Sequence, residues 1–268
     1  MLKDRHVLLF GNCKGGCGKT TSAFETAFVL SQKKKKVLMI DFDNQCNLTA
    51  GCVNIAPEVS NFHNIFNVLL GACPLQDAIV NVRENLDIIP GSRKLLSERF
   101  PGSDDKHLLK ILINEFVTGY DYIIIDIGPE SGSLMFMAML ASDYIVACAP
   151  YALYAREGLL QMAVDLKSGR DNYKNFNVRV LGILATNVST NTTATSFGRE
   201  QYEEIGEAIG GMPFRTEIHR TVKVDDCKEY KQAINEYAKS SKPAYDYREF
   251  VRELETRIRD IEEEEDDE

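Results

Sequence analysis

Short apolar runs alternate along this chain with longer stretches in which apolar residues recur every three or four positions. The short runs predict strands at Val7–Gly11, Val37–Ile40, Leu86–Ile89, Tyr122–Asp126, Tyr144–Ala147 and Val180–Leu184, with a further short one near Arg215–Ile218. The longer stretches predict helices at Lys19–Ser31, Asn64–Leu70, Lys106–Thr118, Leu134–Leu140, Glu157–Leu166, Thr195–Ile209 and Tyr247–Ile261. Strands of this kind, separated by helices, imply an α/β fold: a mostly parallel, twisted sheet with helices on both faces. No repeat or low-complexity linker interrupts the order, so residues 1–259 are expected to form a single domain, with 260–268 as an acidic tail. In open sheets of this class ligands sit beyond the carboxyl ends of the strands, so the residues that follow each strand matter most.

Directly after the first strand comes Lys14-Gly15-Gly16-Cys17-Gly18-Lys19-Thr20-Thr21. A triphosphate needs a ring of backbone N–H donors close to its oxygens, and Gly15, Gly16 and Gly18 let the chain curl that tightly. The helix expected from Lys19 points free N–H groups and a partial positive charge at the same anion. Lys19 has the reach for β- and γ-phosphates, and the Thr20 hydroxyl can ligate Mg²⁺. The strict pattern asks for glycine at position 13, where this chain carries Cys13.

Two acidic clusters follow other strands: Asp41-Phe42-Asp43-Asn44-Gln45 and Asp126-Ile127-Gly128-Pro129-Glu130. Alternation in an extended segment puts Asp41 and Asp43 on one side. Strand-end carboxylates can hold Mg²⁺ through its water shell, and another can orient an attacking water. Either cluster alone is an ordinary turn or cap. Combined with the glycine loop at the same end of neighbouring strands, they mark a site.

Composition narrows the class further. The 268 residues are 44% hydrophobic, enough for a sizeable core, and no run approaches the roughly 20 apolar residues of a membrane span. No secretory apolar stretch opens the chain, and seven cysteines lack any C-x-x-C pair, which fits reduced thiols and a cytoplasmic protein. Cys13 and Cys17 are expected to be packing residues. Of the net charge of −9, most comes from eight acids among the last nine residues, so the body is nearly neutral and can carry a basic face. The tail is expected to be a solvated, frayed end that disfavours anionic membranes.

The K-G-G-x-G-K-T-T loop, the D-x-D-x-Q segment and strand-terminal Asp126 resemble the deviant Walker-type ATPases, a group that includes ParA partition proteins, MinD, the nitrogenase iron protein and Mrp-like iron–sulfur carriers. Within it the chain is most similar to ParA. Asp43-Asn44-Gln45-Cys46-Asn47-Leu48-Thr49 resembles the D-P-Q-G-N-x-T segment of ParA proteins, and Ile65–Gly71, Pro74–Ile79 and Leu86–Ser92 follow in the family's order. The resemblance implies an ATP-binding, Mg²⁺-dependent ATP hydrolase. It assigns Lys14 to the partner's nucleotide across a homodimer, and Gly15, Gly16, Cys17, Gly18, Lys19, Thr20 and Thr21 to the phosphates. Thr20, Asp41 and Asp126 would serve the metal, Asp43 the hydrolytic water and Asn187 the adenine.

Three departures stand out. Gly128-Pro129 replaces Pro-Pro, His219 replaces proline and Lys223 replaces arginine in the T-x-I-P-R-N-x-R segment; His219 is read as structural. No helix-turn-helix precedes the loop, as in the short ParA form. That form implies an ATP-bound dimer on nonspecific double-stranded DNA, nucleoid-associated and reset by a ParB-like centromere-binding partner. Arg220 and Lys223 are the DNA-binding candidates, with Arg199 and Lys228 behind them, while Lys33–Lys36 reads as a solvated helix end. The alternative is a switch like MinD or an organelle positioner, acting on a membrane or a protein cargo. An iron–sulfur carrier would need paired cysteines.

Overall fold

The computed structural model describes residues 5–53, 63–97, 106–129, 132–189 and 193–267. The first half of the chain runs β1 (His6–Gly11), α1 (Lys19–Gln32), β2 (Val37–Phe42), α2 (Asn47–Cys52), α3 (Ile65–Leu69), β3 (Val80–Arg83), β4 (Leu86–Ile89), α4 (Lys94–Ser97) and α5 (Leu108–Phe116). It continues with β5 (Tyr122–Ile127), α6 (Ser133–Ala141), β6 (Tyr144–Ala149), α7 (Leu153–Asn172) and β7 (Arg179–Ala185). Four helices complete it: α8 (Thr193–Ile209), α9 (Lys223–Glu229), α10 (Ile234–Tyr237) and α11 (Lys242–Asp267). The strands form one sheet in the order β3-β4-β2-β5-β1-β6-β7, parallel except for β3.

Alternation along each strand divides the core into two layers. Val7, Leu9, Ile123 and Ile125 face α3 and α5 to α8, whereas Leu8, Phe10, Ile124 and Val146 face α1, α2 and α9 to α11. The central strands β1, β2, β5 and β6 are almost wholly buried, which is why their sequences are apolar at nearly every position. Among the described residues no helix is long and apolar enough to cross a membrane.

The structure corrects several sequence-based expectations. No strand forms at Arg215–Ile218, although Phe214 N and Ile218 N donate to the β7 carbonyls of Ile183 and Ala185 at 2.9 and 2.8 Å. The backbone amides of Arg215 and Thr216 are taken instead by the Glu253 carboxylate of α11, at 2.8 and 3.0 Å, so the ladder cannot continue. Strand β3 escaped the apolar pattern because it is a half-exposed edge, hairpinned to β4 through Asn85 in the left-handed region (φ 59°). Helix α7 is longer than predicted because Gly158 and Gly169 occupy buried positions where a large apolar residue would have marked the period.

Helix α11 also begins earlier than expected, at Lys242-Pro243, with the Ser241 hydroxyl oxygen accepting from Ala244 N at 3.4 Å. It does not fray at residue 260 but stays helical to Asp267. Glu262 is buried 3.4 Å from His6 Nδ1, and Glu265 pairs with Arg179 at 2.7 Å. Its apolar stripe, Tyr247, Phe250, Val251, Leu254 and Ile258, closes the α1 side of the sheet, with Phe250 edge-on to Phe214 at 4.8 Å. Phe250→Ala is therefore expected to destabilise the fold by about 3–5 kcal/mol, read from urea unfolding. A loss below about 1 kcal/mol would show that α11 is not part of the core.

Candidate functional site

The loop between β1 and α1 is held from both sides. Buried Asn12 accepts from Lys14 N at 3.0 Å through Oδ1 and donates through Nδ2 to the Cys148 carbonyl at the end of β6, at 2.8 Å. Helix α7 packs so tightly here that a Cβ at Gly158 would lie 2.0 Å from Asn12 Oδ1 and 2.8 Å from Lys14 Cγ. On the other side Thr186, just past β7, donates its hydroxyl to the Cys17 carbonyl at 3.0 Å and abuts Gly18. Gly16 and Gly18 take left-handed φ values of 72° and 78°, the tight backbone that a phosphate cradle requires. Asn12, Gly158 and Thr186 carried no motif in the sequence; only the packed fold brings them to the loop.

The two lysines diverge. Lys19 is buried and its ammonium donates to the Lys14 carbonyl at 2.9 Å, inside the cradle. Lys14 is 46% exposed, with Nζ 3.8 Å from Glu157 on α7, and it turns outward along the molecular surface. Burial and the neighbouring Asp165 push the Cys13 thiol up to about 12, and burial also raises Cys17, so neither is a nucleophile or a ready metal ligand.

Parallel pairing of β2 with β5 sets Asp41 and Asp126 side by side as registered partners. Their side chains do different things. Asp41 Oδ2 accepts from Thr49 N at 2.8 Å and Thr49 Oγ1 at 2.6 Å, and Gly91 lies so close that a Cβ there would meet the carboxylate at 2.8 Å. Asp41 therefore caps α2 and faces the β4 side, and burial, the largest influence, pushes its carboxyl up to about 6. Asp43 turns the other way: its carboxylate accepts from Gln45 N at 3.0 Å and lies against Gly128, where an added Cβ would come within 2.8 Å of Oδ1. Asp41 and Asp43 thus lean towards different neighbours, the β4 and β5 ends, while Asp43 N donates to Asp41 Oδ1 at 3.3 Å.

Asp126 is fully buried and neither of its oxygens has a hydrogen-bond partner. Burial, then the charge of Asp41, holds its carboxyl well above the usual carboxylate range; the nearby Thr20 hydroxyl and Lys19 pull the other way. Among the described residues no three His, Cys, Asp or Glu side chains converge as a ready-made metal cage.

A cavity of about 1040 Å³ joins these parts, running from Gly15–Thr21 past Asp43 and Pro129 in one direction and Asn187, His219 and Arg220 in the other. Asn187 is exposed on its rim, in the left-handed region at φ 52°. Arg220 also borders this cavity, whereas Lys223 opens α9 beside a separate hollow shared with Tyr237 and Lys239. Both DNA-binding candidates are exposed. Arg199 is committed to Glu217 through two hydrogen bonds of 2.7 and 2.8 Å, and the Lys228 side chain lies outside the described residues. A larger cavity, about 1360 Å³, opens at the amino ends of the strands around Arg5, Lys36 and Arg179, but neither the loop nor the three aspartates reach it.

A family model described as an AAA domain matches residues 5–180. Over 265 residues the chain is 32% identical to the virulence plasmid ParA family protein pGP5-D of Chlamydia psittaci, covering 94% of this chain and 95% of that one. Over 252 residues it is 29% identical to the sporulation initiation inhibitor protein Soj of Bacillus subtilis, covering 92% of this chain and 97% of that one. Among solved structures, a putative plasmid partition protein from Borrelia burgdorferi bound to AMPPNP matches with a TM-score of 0.73 at 25% identity, over 94% of this chain and 98% of that one. Taken with a phosphate loop that carries one lysine inside and one outside, these matches establish that the chain belongs to the ParA family of partition ATPases.

Proposed function

We propose that this protein is a cytoplasmic, Mg²⁺-dependent ATP hydrolase that pairs as a homodimer on ATP, binds nonspecific double-stranded DNA in that state, and is reset by a ParB-like partner. The observation that carries the proposal is the divergence of the two lysines. Lys19, inside the cradle, would hold β- and γ-phosphates, while Lys14, half-exposed beside Glu157, would reach a nucleotide held by a second copy. Gly15, Gly16, Cys17 and Gly18 offer backbone amides, and Thr20 and Thr21 hydroxyls, to the same phosphates. Residues 1–259 would act as one unit.

The residues present suit a hard cation. Asp126 offers two buried, unpartnered oxygens beside the Thr20 hydroxyl, and Mg²⁺ prefers a few such oxygens plus phosphate and water. When bound, Mg²⁺ would supply charge neutralisation for the phosphates. Asp41, already engaged by Thr49, would contribute by charge and by holding α2 rather than as a ligand. Asp43, held by Gln45 N against Gly128, would orient the attacking water. Asn187 would face the adenine. DNA would be held by phosphate contacts, with Lys223 facing outward and Arg220 on the cavity rim tying that surface to nucleotide occupancy.

Three outcomes test this. In DNA retention assays, the parent should hold random duplex with ATP but not with ADP, and retention should fall by about 10³-fold between 50 and 200 mM salt. Lys14→Gln should abolish retention, and Asp43→Ala should prolong it by slowing hydrolysis about a hundredfold or more. Retention that survives Arg220→Glu combined with Lys223→Glu would rule out the proposed DNA surface.

A second test uses the Asp126 carboxyl. Because its pKa in the fold lies above the unfolded value, its contribution is fully present below the ordinary carboxylate pKa and is lost as pH rises towards the raised value. The thermal midpoint of the nucleotide-free protein should therefore fall from about pH 4 towards pH 7. Asp126→Asn should flatten that fall and raise the midpoint at pH 7, by about 2–4 °C for each kcal/mol relieved, while removing any gain from added Mg²⁺. A variant that keeps the full Mg²⁺ gain would show that the metal is held elsewhere.

A further inference from the structure

His219 shares the cavity wall with Asn187 and Arg220, on the side of the loop away from Asp43 and Asp126. With phosphates in the glycine loop and the hydrolytic acids at the β2 and β5 ends, a nucleoside has to lie towards β7, against this wall. The imidazole here is not loose. Its Nδ1 lies 2.8 Å from Asp246 Oδ2, the same oxygen accepts from His219 N at 3.0 Å, and Lys242 Nζ holds the other carboxylate oxygen at 2.8 Å. Asp246 is 3% exposed on α11, so the ring is anchored from the core.

A carboxylate only accepts hydrogen bonds, so the ring nitrogen that faces Asp246 carries the hydrogen. In the neutral ring this leaves Nε2, on the opposite edge, as an acceptor. The ring is 22% exposed; Asp246 is its side-chain hydrogen-bond partner, and the charge of Glu217 also reaches it. His219 lines the cavity, and an acceptor on the ring edge away from Asp246 would favour a base with an amine on the facing edge and disfavour one with a carbonyl there. Adenine presents the amine at C6; guanine and hypoxanthine present a carbonyl.

We propose that His219 is a specificity-determining residue that reads the exocyclic amine of adenine, with Asp246 as the positioning residue that fixes its tautomer. This inference rests on the nucleotide-binding proposal above and adds to it the basis of base choice.

The test compares ATP with ITP, which differs on that edge of the base, by equilibrium binding to the full chain with Mg²⁺. The parent should prefer ATP by about tenfold, the worth of one hydrogen bond set against an unpaired acceptor. His219→Ala should bring the two within about twofold, chiefly by weakening ATP. Asp246→Asn can keep an amide oxygen where His219 N and Nδ1 both donate, so it should retain the ATP preference, whereas Asp246→Ala, which removes that acceptor and frees the tautomer, should lower it; a loss of preference in both variants alike would show a packing role only. Equal binding of ATP and ITP by the parent, an unchanged ratio in His219→Ala, or an equal loss of both nucleotides in that variant would each overturn the inference. Equal binding with ATP hydrolysis intact would sink only the base-reading role, whereas failure to bind any triphosphate would remove the underlying function as well.

Discussion

Buried negative charge organises the nucleotide end of this sheet. The parallel register of β2 and β5 places Asp41 and Asp126 side by side with no solvent to separate them, an arrangement that is costly unless each carboxylate finds a partner or a proton. The fold resolves the two differently. Asp41 is satisfied internally by the amide and hydroxyl of Thr49, and that hydroxyl in turn accepts from Gly91 N at 2.9 Å, tying β2, α2 and the end of β4 into one unit. Asp126 is left without a hydrogen bond next to Thr20 and Lys19. An apo protein of this kind stores a preference for cations at the point where a phosphate chain would also need one.

Much of this was legible in the sequence, for a physical reason. Parallel strands covered on both faces must be apolar at nearly every position, so β1, β2, β5 and β6 stand out as runs, and the residues after them fall at one end of the sheet. The glycine loop was legible because few residue types tolerate its backbone. What stayed hidden was set by tertiary contacts. The edge strand β3 buries its apolar residues Val80 and Val82 only in part, too little to imprint a pattern, and the Arg215–Ile218 segment looked like a strand until Glu253 took its amides. That Asp41 leans towards the β4 end and Asp43 towards the β5 end could not be read from spacing, because it depends on where Thr49 and Gly128 lie.

The basic residues show the same limit. Charge alone does not say that Glu217 holds Arg199 through two hydrogen bonds while Arg220 borders the cavity and Lys223 stands exposed at the start of α9. His219 was assigned a structural role by its isolation in sequence. Asp246, twenty-seven residues away, gives it a defined donor and acceptor edge. A side chain's chemistry here is set as much by what α11 brings to it as by its own identity.

The contact between α7 and the loop has a consequence for how this sequence can vary. Gly158 leaves no room for a methyl group against Asn12, and the Asn12 oxygen cannot swing aside without releasing Lys14 N. Positions 12 and 158 therefore behave as one inherited pair: a relative with a bulkier residue on the helix would need a smaller one after β1, and with it another way to hold the backbone of the outer lysine.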